Sequence, residues 1–252
     1  MLAATLGIFE TAIHDCSEVD WCALPDEFVI QMHWNRTPDI LSFLARQRIQ
    51  PIGIVRHPLD VLVSILHFCT YEPATARWLA GQGGSEASLI GSSPAHSSFL
   101  DYALSQRAEA LLDVSAQWVA GGYAHMRYED LVSSPVSTLQ KFLHGQRISR
   151  PTQTVVRDHS LEALRQSNYN NHFWRGQPGI WRSLISESAA QQIYAHHKRR
   201  FDLLGYSIKG AARLSPQEVI ENWWEINARR THERTLAAEP IWNPSPSGNL
   251  AF

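Results

Sequence analysis

Lysine is nearly absent from this chain: Lys141, Lys198 and Lys209 are the three in 252 residues, and every other basic side chain is arginine. Arginine's planar fork suits bidentate grips on phosphate, although most surface arginines serve solubility. Charge of one sign is lacking too, because the net charge of −2 rules out a bulk electrostatic hold on nucleic acid. Cysteine is scarce: Cys16, Cys22 and Cys69 are odd in number and lack metal-ligand spacing. That argues against a disulfide frame and a metal, and for free thiols in a cytoplasmic protein. No apolar run approaches the roughly 20 residues that span a bilayer. The short apolar start lacks the basic flank of a signal peptide.

What is present is the composition of a soluble globular protein, 44% apolar and 18% charged. No repeat period appears, so one main domain is expected over 1–210, with a C-terminal helix and loose tail over 211–252. Short apolar runs at 28–32, 52–55 and 123–128 predict strands. Helices are expected at 2–13, 38–47, 59–68, 99–119, 137–143, 161–166 and 186–204. Ser215-Pro216-Gln217-Glu218 reads as a capping box that starts a last helix. The Gly/Ser-rich stretch 81–98 predicts a mobile loop, and 149–160 and 168–183 predict irregular chain. Strands alternating with helices give an α/β class with a largely parallel sheet. Ligands on such sheets bind at the carboxyl ends of the strands.

Arg56 follows the 52–55 run directly, beside the start of the next helix, where Pro58 sits in the first turn. An arginine beside a helix N-terminus suits a dianionic phosphate. Ser64 lies two turns in and reaches such a group only if the phosphate lies along the helix. On these residues alone, an ordinary helix start with a structural arginine is equally open.

Arg56-His57-Pro58-Leu59-Asp60-Val61-Leu62-Val63-Ser64 resembles the 3′-phosphate motif of sulfotransferases that use 3′-phosphoadenosine 5′-phosphosulfate (PAPS). Tyr128-Glu129-Asp130-Leu131, followed by Pro135, resembles that family's Tyr-Glu-Asp-Leu segment. Trp174-Arg175-Gly176 before Gly179-Ile180-Trp181 is similar to its Arg-Lys-Gly loop, and Leu204-Gly205-Tyr206 to its closing turn. The resemblance spans roughly residues 25–208. It implies a three-layer P-loop-type parallel sheet flanked by helices. It also implies a nucleotide held by Arg56, Ser64, Tyr128, Arg175 and Gly176, and His33 after the 28–32 strand as general base. The implied reaction moves a sulfuryl group from PAPS to the hydroxyl of a small molecule, lipid or sugar, leaving adenosine 3′,5′-bisphosphate (PAP), with no metal.

Several positions depart from the family. Gln31 stands where a lysine precedes the histidine, and Leu161 where an aromatic ring stacks on adenine. The strand and lysine-bearing loop that cradle the 5′-phosphosulfate have no counterpart before His33. An N-terminally shortened sulfotransferase is therefore one expectation, with residues 2–13 as remnant of the helix after that loop. A PAP- or PAPS-binding protein with impaired catalysis on the same scaffold is the other. A nucleoside or sugar kinase ranks third, because it needs the same loop. Trp78, Phe99 and Tyr102, with the segments 81–98 and 99–119, are candidates to border the acceptor, while core packing is the competing role. Acceptor identity and oligomeric state are open at this point.

Overall fold

The computed structural model describes residues 1–13, 19–81, 83–167 and 174–236, with the side chains of 165–167 and 229–236 left out. Cys16, Phe173 and the expected loose tail after 236 lie outside the described residues.

The chain opens with α1 (Leu2–Leu6), which Gly7 ends in the left-handed region at φ 73°. It continues as β1 (Phe9–Ala12), paired in parallel with β2 (Phe28–Gln31), Phe9 opposite Phe28 and Ala12 opposite Gln31. The expected single helix over 2–13 is thus half strand, because Gly7 stops the helix and the ladder with β2 claims the rest. Next come α2 (Pro38–Arg46), capped by Thr37, whose Oγ1 accepts from Ile40 N–H, then β3 (Gly53–Val55) and α3 (Pro58–Tyr71).

Helices α4 (Pro73–Gly81), α5 (Ser97–Ala103) and α6 (Gln106–Ala120) carry the crossover from β3 to β4 (His125–Arg127). Strand β4 lies parallel to β3, with Gly53 opposite His125 and Val55 opposite Arg127. Then follow α7 (Tyr128–Ser133), α8 (Pro135–Gly145), α9 (Gln153–Asp158), α10 (Leu161–Ser167) and α11 (Trp181–Leu184). The chain ends in α12 (Glu187–His196), α13 (Lys198–Leu204) and α14 (Pro216–Leu236).

The α/β class and the parallel sense of the strands hold. A single central sheet does not: among the described residues, β1–β2 and β3–β4 are separate two-stranded sheets. Pro51, which lacks an N–H, and the helix start at Pro58 confine β3 to three residues. The expected helix 99–119 is broken between α5 and α6, where Ser105 Oγ accepts from Ala108 N–H and donates to Tyr102 O. The run 186–204 likewise breaks at His197, whose buried ring bonds through Nε2 to Ala103 O, 2.7 Å away. The expected loop 81–98 contains a 3₁₀ turn (Glu86–Leu89) with Glu86 and Leu89 buried, and the expected irregular stretch 149–160 contains α9.

The core forms around α3. Leu59, Leu62, Val63 and Leu66 are fully buried and recur at helical spacing. They belong to one buried cluster with Phe99, Trp181, Phe201 and Trp223. Each such side chain contributes about 1.5–3 kcal/mol when fully buried. Through Trp223, α14 joins this core, and its start is the expected capping box: Glu218 Oε2 accepts from Ser215 N–H and Oγ–H, both at 2.7 Å. No described helix is long and apolar enough to cross a membrane.

Gly205 ends α13 in the left-handed region at φ 69°, and a Cβ there would lie 2.7 Å from Arg127 Nη2. Gly205→Ala is expected to cost about 1–2 kcal/mol from the backbone alone. Urea unfolding of the variant beside the wild type reads this as a lower midpoint at unchanged slope.

Candidate functional site

The start of α3 collects contacts from three distant parts of the chain. Pro58 fixes the helical φ at its first position, and His57 caps it: Nδ1 accepts from Leu59 N–H at 3.2 Å. That leaves the ring proton on Nε2, which donates to Ser207 O at 3.0 Å. The imidazole stacks on Trp181, centroids 4.9 Å apart. Burial lowers the pKa of His57, so the neutral ring belongs to the fold.

One turn into α3, the fully buried Asp60 accepts two backbone N–H bonds. Gly179 donates to Oδ2 at 2.6 Å and Trp181 to Oδ1 at 3.0 Å. Burial raises the pKa of Asp60, while these bonds and the charge of Arg56 favour the carboxylate. The irregular chain before α11 is thereby strapped to the helix start.

Glu129, at the start of α7, makes the third tie. Its Oε1 accepts from His57 N–H at 2.9 Å and its Oε2 from Tyr206 O–H at 2.6 Å. Arg127 lies over the Tyr206 ring, 4.5 Å from its centroid, and donates to Leu204 O at 2.8 Å. The motifs that are scattered in sequence therefore meet at residues 56–60.

Against this frame sit Arg56, Tyr128 and Gly176. The Arg56 guanidinium lies over the Tyr128 ring, 4.6 Å from its centroid, and its buried Nε has no hydrogen-bond partner among the described residues. Burial raises the pKa of Tyr128, which stays a phenol. Gly176 has φ 61°, and a Cβ there would lie 2.7 Å from Leu161 Cδ2 and 3.6 Å from the Tyr128 hydroxyl. Glycine adopts this conformation without strain and lets the backbone come so close. Ser64 is half-buried on the same helix, and its hydroxyl makes no hydrogen bond among the described residues. From Pro58 to Ser64 the helix rises about 9 Å, so one anion touches both ends only by lying along it.

The remaining expected residues are placed differently. Arg175 is half-buried, and its Nη2 donates to the carbonyl of Ile226 in α14. His33 is exposed, two residues past β2. Next to it, Trp34 O accepts from Trp118 Nε1 at 2.9 Å and Arg36 N–H donates to Gln117 at 2.9 Å, so α6 holds that chain. Phe99 and Tyr102 are core residues, with Tyr102 O–H donating to buried Glu86, whereas Trp78 is exposed. No group of three His, Cys, Asp or Glu among the described residues is arranged to hold a metal ion.

Sequence reading missed the partners of Asp60, the cap made by His57 and the bridge made by Glu129. The motifs carry these residues but not their long-range partners. The orphaned Arg56 Nε and the glycine-lined cradle fit a phosphate-bearing nucleotide.

No protein-family model matches the chain, and no curated protein matches it. Among solved structures, the mouse sulfotransferase SULT7A1 complexed with PAP is similar to it, with a TM-score of 0.61 and 17% sequence identity. The match covers 94% of this chain and 84% of that chain. The chain therefore has a sulfotransferase-like fold.

The neutral His57 makes stability depend on pH. Its folded pKa lies below the ordinary 6.5, so its contribution is complete above that value and is lost as pH falls below it. Asp60, whose pKa is raised, acts in the opposite sense at lower pH, so the comparison must isolate His57. Urea midpoints between about pH 5 and 8 should fall on acidification, and the fall should be smaller in His57→Asn, which keeps a capping acceptor. Equal slopes in both proteins contradict this assignment.

Proposed function

We propose that this chain is a sulfotransferase that uses PAPS and releases PAP, with the 3′-phosphate held at the first turns of α3. The observation that carries the reading is Arg56: its buried Nε lacks a partner among the described residues, beside a helix start and the close backbone approach at Gly176. The motif resemblance and the fold support it.

In this reading Arg56 supplies charge and direction, the Gly176 N–H approaches the phosphate, and Ser64 donates from along the helix. Tyr128 keeps the Arg56 plane in place and presents a phenol O–H. Leu161, packed at Gly176, gives the base an apolar surface in place of an aromatic one. PAPS supplies an activated sulfuryl group bound to a phosphate leaving group. His33 takes the proton from the acceptor hydroxyl; a new S–O bond forms to the acceptor as the S–O bond to phosphate breaks. Its exposed position past β2 leaves it open to an incoming acceptor.

Calorimetric titration with PAP tests the binding half. Arg56→Ala should weaken PAP by roughly 10- to 100-fold, whereas unchanged affinity removes Arg56 from the site. Transfer is tested with radiolabelled PAPS against phenols, alcohols and sugars. The expected result is a sulfate ester made by the wild type, with His33→Ala binding PAP as before but transferring at least about 100-fold more slowly. PAP binding without transfer to any acceptor identifies the second reading, a binding protein on the same scaffold, which Gln31 in place of the family's lysine favours.

A further inference from the structure

The C-terminal helix touches Arg175, the residue before Gly176, and nothing in the motifs foretells it. Three positions within about one turn of α14 engage the chain between Trp174 and the end of α11. Asn222 Nδ2 donates to Ser183 O at 2.8 Å, at the end of that segment. Fully buried Trp223 meets Trp174 edge to face, centroids 5.9 Å apart. The carbonyl of Ile226 accepts from Arg175 Nη2.

The chemistry of the last contact matters. A carboxylate partner would cancel the arginine's charge. A helix carbonyl orients the guanidinium and leaves its charge uncancelled. A carbonyl oxygen also has two lone pairs, so Ile226 serves Arg175 without leaving its own helix. Asp60 holds the same segment from the opposite side through Gly179 and Trp181. Arg175 and Gly176 thus lead into a strap pinned by α3 and by α14.

We propose that α14 is a working part of the nucleotide site, orienting Arg175 toward the 3′-phosphate through the Ile226 carbonyl, with Asn222 and Trp223 as positioning residues. This rests on the 3′-phosphate reading above and extends it to a helix outside the motifs.

The readout is the ratio of affinities for PAP and for adenosine 5′-phosphate, which differ by the 3′-phosphate alone, measured on the full chain. Arg175→Ala should lower that ratio roughly 10- to 100-fold. Asn222→Ala and Trp223→Phe should lower it by several-fold to about tenfold, and either change should have almost no further effect in the Arg175→Ala background. Trp223→Phe also removes core packing, so Asn222→Ala, at a half-buried position, keeps the test clear of unfolding. Equal weakening of both nucleotides, or effects that add to that of Arg175→Ala, overturns the role of α14. If Arg56→Ala also leaves the ratio unchanged, the 3′-phosphate reading itself fails. A ratio that depends on Arg56 but not on Asn222, Trp223 or Arg175 overturns this inference alone.

Discussion

A carboxylate buried in the first turn of a helix is costly unless hydrogen bonds compensate it, and Asp60 has two, both from one short segment. The geometry around it follows from that constraint. Its two N–H donors, Gly179 and Trp181, draw the chain before α11 onto the start of α3. Trp181 is then positioned to stack on the His57 ring, and Gly176, three residues before Gly179, comes against Tyr128 and Leu161. Arg56, just before the helix, is left with its guanidinium on Tyr128 and a buried donor that has no hydrogen-bond partner among the described residues. A structural bond and a candidate binding surface are thus two sides of one turn.

The same economy appears in the second tie. Glu129 uses one oxygen for the His57 N–H and the other for the Tyr206 O–H, which joins the start of α7 to the turn after α13. Burial, then Glu129, raises the pKa of Tyr206, so that phenol keeps its proton and remains a donor. Three segments far apart in sequence therefore close on residues 56–60. A network of this kind is rigid where its members are all satisfied, and rigidity is what an anion site needs for discrimination.

Much of this arrangement was legible in the sequence. The position of Arg56 after a short apolar run, with Pro58 next, gave the strand and the helix start from local rules. The capping box at Ser215–Glu218 and the stop at Gly205 were likewise local. What local rules could not give was pairing at a distance. Residues 2–13 look apolar and Ala-rich, yet β2 claims Phe9–Ala12 through a ladder partner 19 residues away. The break at Ser105 depends on a serine that bonds both backward and forward, a choice that propensity ranks as neutral. The sheet division was hidden because three-residue strands leave almost no periodic signal. Asp60 was visible as a motif member, but its donors lie about 120 residues on, where only the folded backbone brings them.

The central claim is that the first turns of α3 recognise a 3′-phosphate. The most direct measurement is calorimetric titration of the wild-type chain with PAP and, separately, with adenosine 5′-phosphate. The account predicts that PAP binds roughly 10- to 100-fold more tightly, and that this advantage shrinks as salt is raised. Equal affinity for the two nucleotides, or binding of neither, would contradict it.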